Sequence, residues 1–104
     1  MSGTISVTRE ESETVINIKG RFNFEMHSQF RAAYQEDTSE GKKGRRFVIN
    51  LSGTEYIDSS ALGMLLLLRE EAGTNESDIE ITNARPEIQK ILETANFQRL
   101  FKIT

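Results

Sequence analysis

A chain of 104 residues, with 37% apolar and 28% charged side chains, has the size of one compact domain and enough hydrophobic material for one core. Its net charge of −3 excludes the broad positive surface that non-specific nucleic-acid binding requires. The absence of cysteine excludes disulfides, thiolate chemistry and Cys-based zinc sites, and fits a reducing compartment. The longest apolar run, residues 61–68 with Gly63 among them, is far short of the roughly 20 residues a spanning helix needs. Residues 1–20 lack the basic start and apolar stretch of a signal peptide. The expectation is a cytoplasmic protein of one domain, residues 1–104, that neither binds nucleic acid nor inserts into membranes.

In chain order, Ile5-Ser6-Val7-Thr8 and Thr14-Val15-Ile16-Asn17-Ile18 alternate between apolar and polar residues on either side of a polar stretch, which predicts a hairpin. Gly20 breaks that pattern. From about Phe24 the spacing of Met26, Phe30, Ala33 and Tyr34 becomes helical, with Asn23 available as an N-cap. The polar segment 37–46, with Gly41 and Gly44, ends this helix and carries the chain into Phe47-Val48-Ile49-Asn50-Leu51. That run is apolar at nearly every position and predicts a central strand covered on both faces. Residues 60–71 predict a second helix, Ile79-Glu80-Ile81-Thr82 a strand, and residues 86–95 a third helix with Pro86 near its first position. In this helix Ile88, Ile91, Leu92 and Ala95 share the face turned toward the sheet. Leu100-Phe101-Lys102-Ile103 closes the chain as a short strand. The order β-β-α-β-α-β-α-β implies an α/β fold, a mixed four- or five-stranded sheet with helices mostly on one face and right-handed crossovers between its parallel strands.

The densest chemical information lies at Tyr56-Ile57-Asp58-Ser59-Ser60-Ala61-Leu62-Gly63, where a strand gives way to a helix. Either Asp58 or Ser59 can cap that helix, because each carries a short side-chain oxygen able to accept from a first-turn N–H. Further along, the apolar arc is too wide for one buried face. At 100° per residue Ala61, Leu62, Leu65, Leu66, Leu68 and Ala72 gather on one side, the expected core side, while Ser60, Gly63, Leu67 and Glu70 point roughly opposite with Met64 at the boundary. Leu67 and Met64 beside a bare Gly63 then suggest a small apolar docking patch next to the serines.

The segment Asp58-Ser59-Ser60-Ala61-Leu62-Gly63 resembles the D-S-[ST]-[GA]-L-G signature of STAS domains of the anti-sigma factor antagonist type. Gly20-Arg21-Phe22-Asn23, Phe47-Val48-Ile49-Asn50-Leu51 and Ala95-Asn96-Phe97 followed by Leu100-Phe101-Lys102-Ile103 resemble further parts of the same family, so the similarity spans nearly the whole chain. Two positions depart from it. Asn23 stands where the family usually has an aspartate, and Ala61 where it frequently has a glycine. A fourth helix found in some relatives is not expected here.

The resemblance implies a non-enzymatic regulatory domain. Ser59 would be the phosphorylated residue, with Ser60 the lesser candidate acceptor, and Asn23, Asp58, Ser59, Ser60, Gly63, Met64 and Leu67 would form the partner-binding surface. The implied partners are an anti-sigma factor or switch-type serine kinase, and a PP2C-type phosphatase that removes the phosphate. An alternative within the family is a constitutive STAS subunit of a lipid-transport ABC complex or a signalling scaffold, which requires no phosphate. No cofactor or metal is expected: no glycine pattern resembles a phosphate-binding loop, and no histidine or carboxylate spacing suggests a metal site. His27, the only histidine, is expected on the first helix as a structural or solvated residue rather than the base of a triad, since Asp58 is the immediate neighbour of Ser59 and nothing marks it as placed to orient an imidazole. The basic run Lys42-Lys43-Gly44-Arg45-Arg46 is expected to be a solvated turn.

Overall fold

The computed structural model describes residues 3–38, 45–72 and 79–104. Strands β1 (Thr4–Arg9) and β2 (Glu13–Phe22) form the hairpin, and a single 3₁₀ turn at Phe24–Met26 leads into helix α1 (His27–Thr38). Strand β3 (Arg46–Ile57), helix α2 (Ser59–Ala72), strand β4 (Ile79–Thr82) and helix α3 (Pro86–Thr94) follow. A second 3₁₀ turn at Phe97–Arg99 and strand β5 (Lys102–Ile103) end the fold. The five strands lie in sequence order, with β1 antiparallel to β2 and every later pairing parallel. This is the mixed sheet, in the expected element order.

One face of the sheet is buried. Ile16 and Ile18 of β2, Phe47, Ile49 and Leu51 of β3, and Ile79 and Ile81 of β4 enter a single core with Phe30 and Tyr34 of α1, Leu65 and Leu68 of α2, and Ile88 and Leu92 of α3. The intervening residues Val15, Asn17, Val48, Asn50, Glu80 and Thr82 are only half-buried on the other face. The expectation that β3 is covered on both faces is therefore corrected: it is central by pairing, but the helices cover one side. Its open side is tied laterally instead, as the Asn50 amide donates to Asn17 Oδ1 at 2.8 Å and accepts from the Asn83 amide at 3.2 Å.

The helix faces are also narrower than the periodicity suggests. In α3, Ile88 and Leu92 are buried while Ile91 is 38% exposed and Ala95 is exposed. In α2, Met64 is buried at 7% and Leu66 is 40% exposed, the reverse of the expected assignment, and Leu62 is half-buried. At 100° per residue Met64 lies about 40° from the buried Leu68 and Leu66 about 40° from the exposed Glu70, so the helical period itself gives the observed faces, and the neighbouring helices set how far each flank is covered. On the Met64 side α1 lies close, and the Tyr34 hydroxyl donates to Glu71 Oε2 at 2.8 Å. On the Leu62 side, α3 leaves a groove of about 480 Å³ lined by Leu62, Glu87, Lys90, Ile91, Thr94 and Ala95.

Strand β3 runs well beyond Leu51. Its pairing with β2 shifts register between Asn17 and Lys19 and again between Gly20 and Arg21, ending at Phe22 opposite Ile57. Each shift inserts an extra residue on β3, so its buried positions become Leu51, Thr54 and Ile57, a spacing of three that only bulges allow. Gly20 accommodates the irregularity at φ +82°, with Gly3 packed so closely that a Cβ at position 20 would lie 2.9 Å from its Cα. Because β4 pairs only with residues 47–50, the ends of β2 and β3 project beyond β4 as an extension, flanked on the β2 side by Gly3, whose N–H donates to the Arg21 carbonyl at 3.3 Å.

At the opposite end a buried carboxylate ties the fold together. Asp37 accepts from Arg9 Nε at 3.1 Å and Thr14 Oγ1 at 2.9 Å, with Arg45 Nε at 3.5 Å. Arg45 also donates to the carbonyls of Glu10, Glu11 and Glu13, and Arg46 pairs with Glu13 and Glu80. The two arginines of the basic run thus serve as structural ties rather than a solvated turn; Lys42, Lys43 and Gly44 lie outside the described residues.

Two outcomes follow. Leu65→Ala should cost about 2–5 kcal/mol in urea unfolding, as for a fully buried leucine, whereas Leu66→Ala should stay within about 0.5 kcal/mol of the parent. Burial, and after it the hydrogen bond to Glu71, holds the Tyr34 phenol well above its ordinary pKa. The unfolded phenol ionises near pH 10 while the folded one stays neutral, so this contribution to stability is complete below about pH 10 and declines above it by up to about 1.4 kcal/mol per pH unit. Comparing Tyr34→Phe with the parent from pH 7 to 11 should show a parent advantage of about 1 kcal/mol at pH 7 that vanishes at the alkaline end.

Candidate functional site

The site forms where the β2–β3 extension meets the start of α2. Phe22 and Ile57 are buried opposite one another and fix the two strand ends, so Asn23 and Asp58 each follow an anchored residue. Asp58 caps α2: its Oδ1 accepts from the Ala61 N–H at 2.9 Å, and its carbonyl accepts from Leu62 N at 3.2 Å. The sequence left the cap open between Asp58 and Ser59, and the structure assigns it to Asp58. Ser59 is then the first residue of the helix, exposed to solvent, and its hydroxyl has no partner among the described residues. Ser60 is half-buried.

From Ser59 a solvent-facing stripe runs down α2. Ser59, Gly63, Leu66, Leu67 and Glu70 are all exposed and fall within one arc of the helix at 100° per residue. Gly63 is notable because a Cβ there would meet nothing within 4 Å, so the packing of this chain does not require glycine, which costs about 0.5–1 kcal/mol relative to alanine inside a helix. Leu66 joins Leu67 in the expected docking patch, and Met64 leaves it for the core because α1 covers that flank.

On the β2 side, Asn23 has an extended backbone and its Oδ1 accepts from Glu25 N at 3.1 Å, capping the 3₁₀ turn. The expected capping role holds, though for the turn that precedes α1. Phe24 is 66% exposed and stacks on His27 with ring centres 5.7 Å apart. His27 is exposed at the first position of α1. Arg21 and Tyr56 form a cross-strand pair, with the guanidinium carbon 4.2 Å from the ring centre. Sequence periodicity did not single out Phe24, Arg21 or Tyr56. An aromatic directly after the Asn23 cap was the available signal for Phe24, while the Arg21–Tyr56 pairing depends on the bulges.

Among the described residues no group of three or more His, Asp or Glu side chains is placed to hold a metal ion, and no helix is long and apolar enough to cross a membrane.

A five-stranded mixed sheet with three helices on one face, and a capped serine-bearing helix following its central strand, defines the class as a STAS fold. The comparison with known proteins gives the family: the model described as "Mlab, STAS domain" matches residues 5–102, and the chain belongs to that family. A STAS-domain containing protein of Pseudomonas aeruginosa is 44% identical over 104 residues, covering all of both chains. Among solved structures, an anti-sigma factor antagonist from Mycobacterium paratuberculosis superposes with a TM-score of 0.82 at 18% identity, covering 98% of this chain and 85% of that one. The anti-sigma factor antagonist SpoIIAA in its unphosphorylated form gives 0.76 at 19% identity, with 97% and 87% covered, and phosphorylated SpoIIAA of Bacillus gives 0.74 at 16%, with 97% and 91% covered. A sulfate transporter family protein from Wolinella succinogenes shares the fold at 0.73 and 14% identity, covering 92% and 79%.

The division between cap and free serine is testable by urea denaturation. Asp58→Ala should lose about 0.5–2 kcal/mol, the cost of an N-cap, and Ser59→Ala should remain within about 0.5 kcal/mol of the parent.

Proposed function

We propose that this STAS domain is a phosphorylation-controlled partner switch of the anti-sigma factor antagonist kind, a binding module rather than an enzyme, working in the cytoplasm. The observation that carries the reading is the separation of roles at the head of α2. Asp58 does the capping, and Ser59 is left with an exposed, unengaged hydroxyl at the top of an apolar stripe. Unmodified, the surface around Asn23, Asp58, Ser59, Ser60, Gly63 and Leu67 captures an anti-sigma factor or switch-type serine kinase. The kinase brings its own nucleotide, transfers a phosphate to Ser59 and is released, and a PP2C-type phosphatase restores the binding form.

The energetics suit that cycle. A phosphate adds about −1.5 to −2 charges at a helix N-terminus, where the first-turn N–H groups and the dipole favour it, so the fold tolerates it. A docked interface without a matching cation does not, and a hundredfold loss of affinity needs only about 2.7 kcal/mol. Neighbours of this fold solved as anti-sigma factor antagonists, one of them in phosphorylated form, support the reading.

A second reading, a constitutive STAS subunit of a lipid-transport ABC complex or a scaffold, has support in a neighbour of this fold, a sulfate transporter family protein. It requires no phosphate.

Incubation with the cognate switch kinase and ATP should add one phosphate, placed on Ser59 by mass spectrometry, with the far-UV spectrum unchanged. In calorimetric titration Ser59→Ala should bind as the unmodified protein does, Ser59→Asp should lose part of the affinity that phosphate abolishes, and Leu67→Glu should bind about tenfold more weakly at unchanged thermal stability. Phosphate solely on another residue, or equal affinity for the Ser59 variants, would move the assignment to the constitutive subunit.

A further inference from the structure

We infer that the docking surface is anchored by Arg21, and that the partner meets it with a carboxylate. This inference rests on the partner-switch reading and adds to it the chemistry of the partner's contact.

Arg21 sits in the extension of β2 and β3, its carbonyl accepting from the Gly3 N–H at 3.3 Å. Phe22 and Ile57 enter the core, so Arg21 and Tyr56, one residue earlier on each strand, project to the opposite, open side, and both are exposed. The register shift between Gly20 and Arg21 is what sets them opposite each other, and bulges beside functional sites characteristically re-aim a side chain in this way. The guanidinium lies over the Tyr56 ring at 4.2 Å.

The treatment of other arginines makes the contrast. Arg9 and Arg45 are paired with Asp37, Arg31 with Glu71, and Arg46 with Glu13 and Glu80. Arg69 donates to the Leu100 carbonyl. Arg85 and Arg99 share with Arg21 the lack of a carboxylate partner among the described residues, but of these arginines Arg21 alone lies over an aromatic ring. Arg21 has no carboxylate within ion-pair distance among the described residues, although Glu25, Glu55 and Asp58 are close in sequence. Its place over the Tyr56 ring limits the side chain's freedom, and no hydrogen bond engages its N–H groups among the described residues. A preset arginine backed by tyrosine loses little freedom on binding, and these two residue types are enriched among the contacts that dominate interfaces.

The choice of a carboxylate follows from the chemistry of the group. Arginine cannot shed its proton, so a partner that covers the tip of the extension as it docks against Ser59 must supply acceptors or bury an unpaired charge. An aspartate or glutamate matches the fork with two parallel hydrogen bonds.

The test is titration of the switch kinase or anti-sigma factor, the same protein used to test the Ser59 switch, onto the parent and onto Arg21 variants, with thermal melts as the control for folding. Arg21→Ala should weaken binding about thirtyfold and flatten its dependence on salt, and Arg21→Lys should recover only part of the loss because it lacks the fork. Arg21→Glu should weaken binding further, with affinity regained when the contacting Asp or Glu of the partner is changed to Arg. If Arg21→Ala binds within twofold of the parent while phosphorylation of Ser59 still abolishes binding, the anchor is overturned and the switch stands. If the parent binds none of these partners, the switch reading fails and this inference fails with it.

Discussion

The hydrogen bond from the buried Thr54 hydroxyl to the Ile18 carbonyl, 2.7 Å long, holds β2 and β3 together where their ladder changes register. A regular ladder would supply that carbonyl with a backbone donor; at a bulge it must find another or remain unsatisfied in the core. Thr54 provides one from a fully buried position. Because the strands stay joined past this point, residues 20–22 and 54–57 continue as an extension, and its tip presents Arg21, Tyr56, Asn23 and Asp58 together. Without the extension, β3 would end near Leu51 and α2 would start from a different place on the sheet.

The other end of the molecule is built to opposite specifications. There Asp37 is enclosed by Arg9, Arg45 and Thr14, and Arg46 spans β2 and β4 through Glu13 and Glu80. These charges are partnered within the chain. At the Ser59 end, among the described residues, the Ser59 hydroxyl has no hydrogen-bond partner and the Arg21 guanidinium no carboxylate, and Phe24 and the outer leucines of α2 are exposed. Under the proposed function, stability and recognition then rest on separate residues, so the Ser59 end could change charge without loosening the core.

Much of this was legible in the sequence. Alternation in residues 5–8 and 14–18, helical spacing after Phe24 and the apolar run 47–51 gave the order of elements, since each signal reports local geometry. The motif at 58–63 gave the family and a candidate site. The assignment of Leu66 to the core side of α2 misplaces it in angle, since 100° per residue sets Leu66 beside Gly63 and Glu70 and Met64 beside Leu68. What otherwise escaped was information carried by packing between elements. The period of a single helix does not encode how completely α1 and α3 cover the two flanks of α2. The true length of β3 was hidden because bulges change its buried spacing from two to three, and a two-residue pattern search stops at Ser52. The pairing of Arg21 with Tyr56 is a product of the same bulges. The one-sided burial of β3 was missed because Val48 reads as core in a strand whose open face is half-covered.

Asn23 shows how a single position can leave the fold alone and alter the chemistry of the switch. Its Oδ1 caps the 3₁₀ turn by accepting from Glu25 N, and an aspartate would accept equally well, so the turn gives no reason for the amide. The difference is charge. Asn23 and Asp58 follow directly from the paired residues Phe22 and Ile57, which places position 23 beside the capping carboxylate and the head of α2. With aspartate there, a phosphate on Ser59 would face two neighbouring carboxylates; with asparagine it faces one, and the amide can donate a hydrogen bond that a carboxylate cannot. The neutral residue therefore lowers the electrostatic opposition to placing a phosphate on Ser59. In the proposed switch, expulsion of the partner would then come less from repulsion within this chain and more from burying the phosphate's charge in the covered interface.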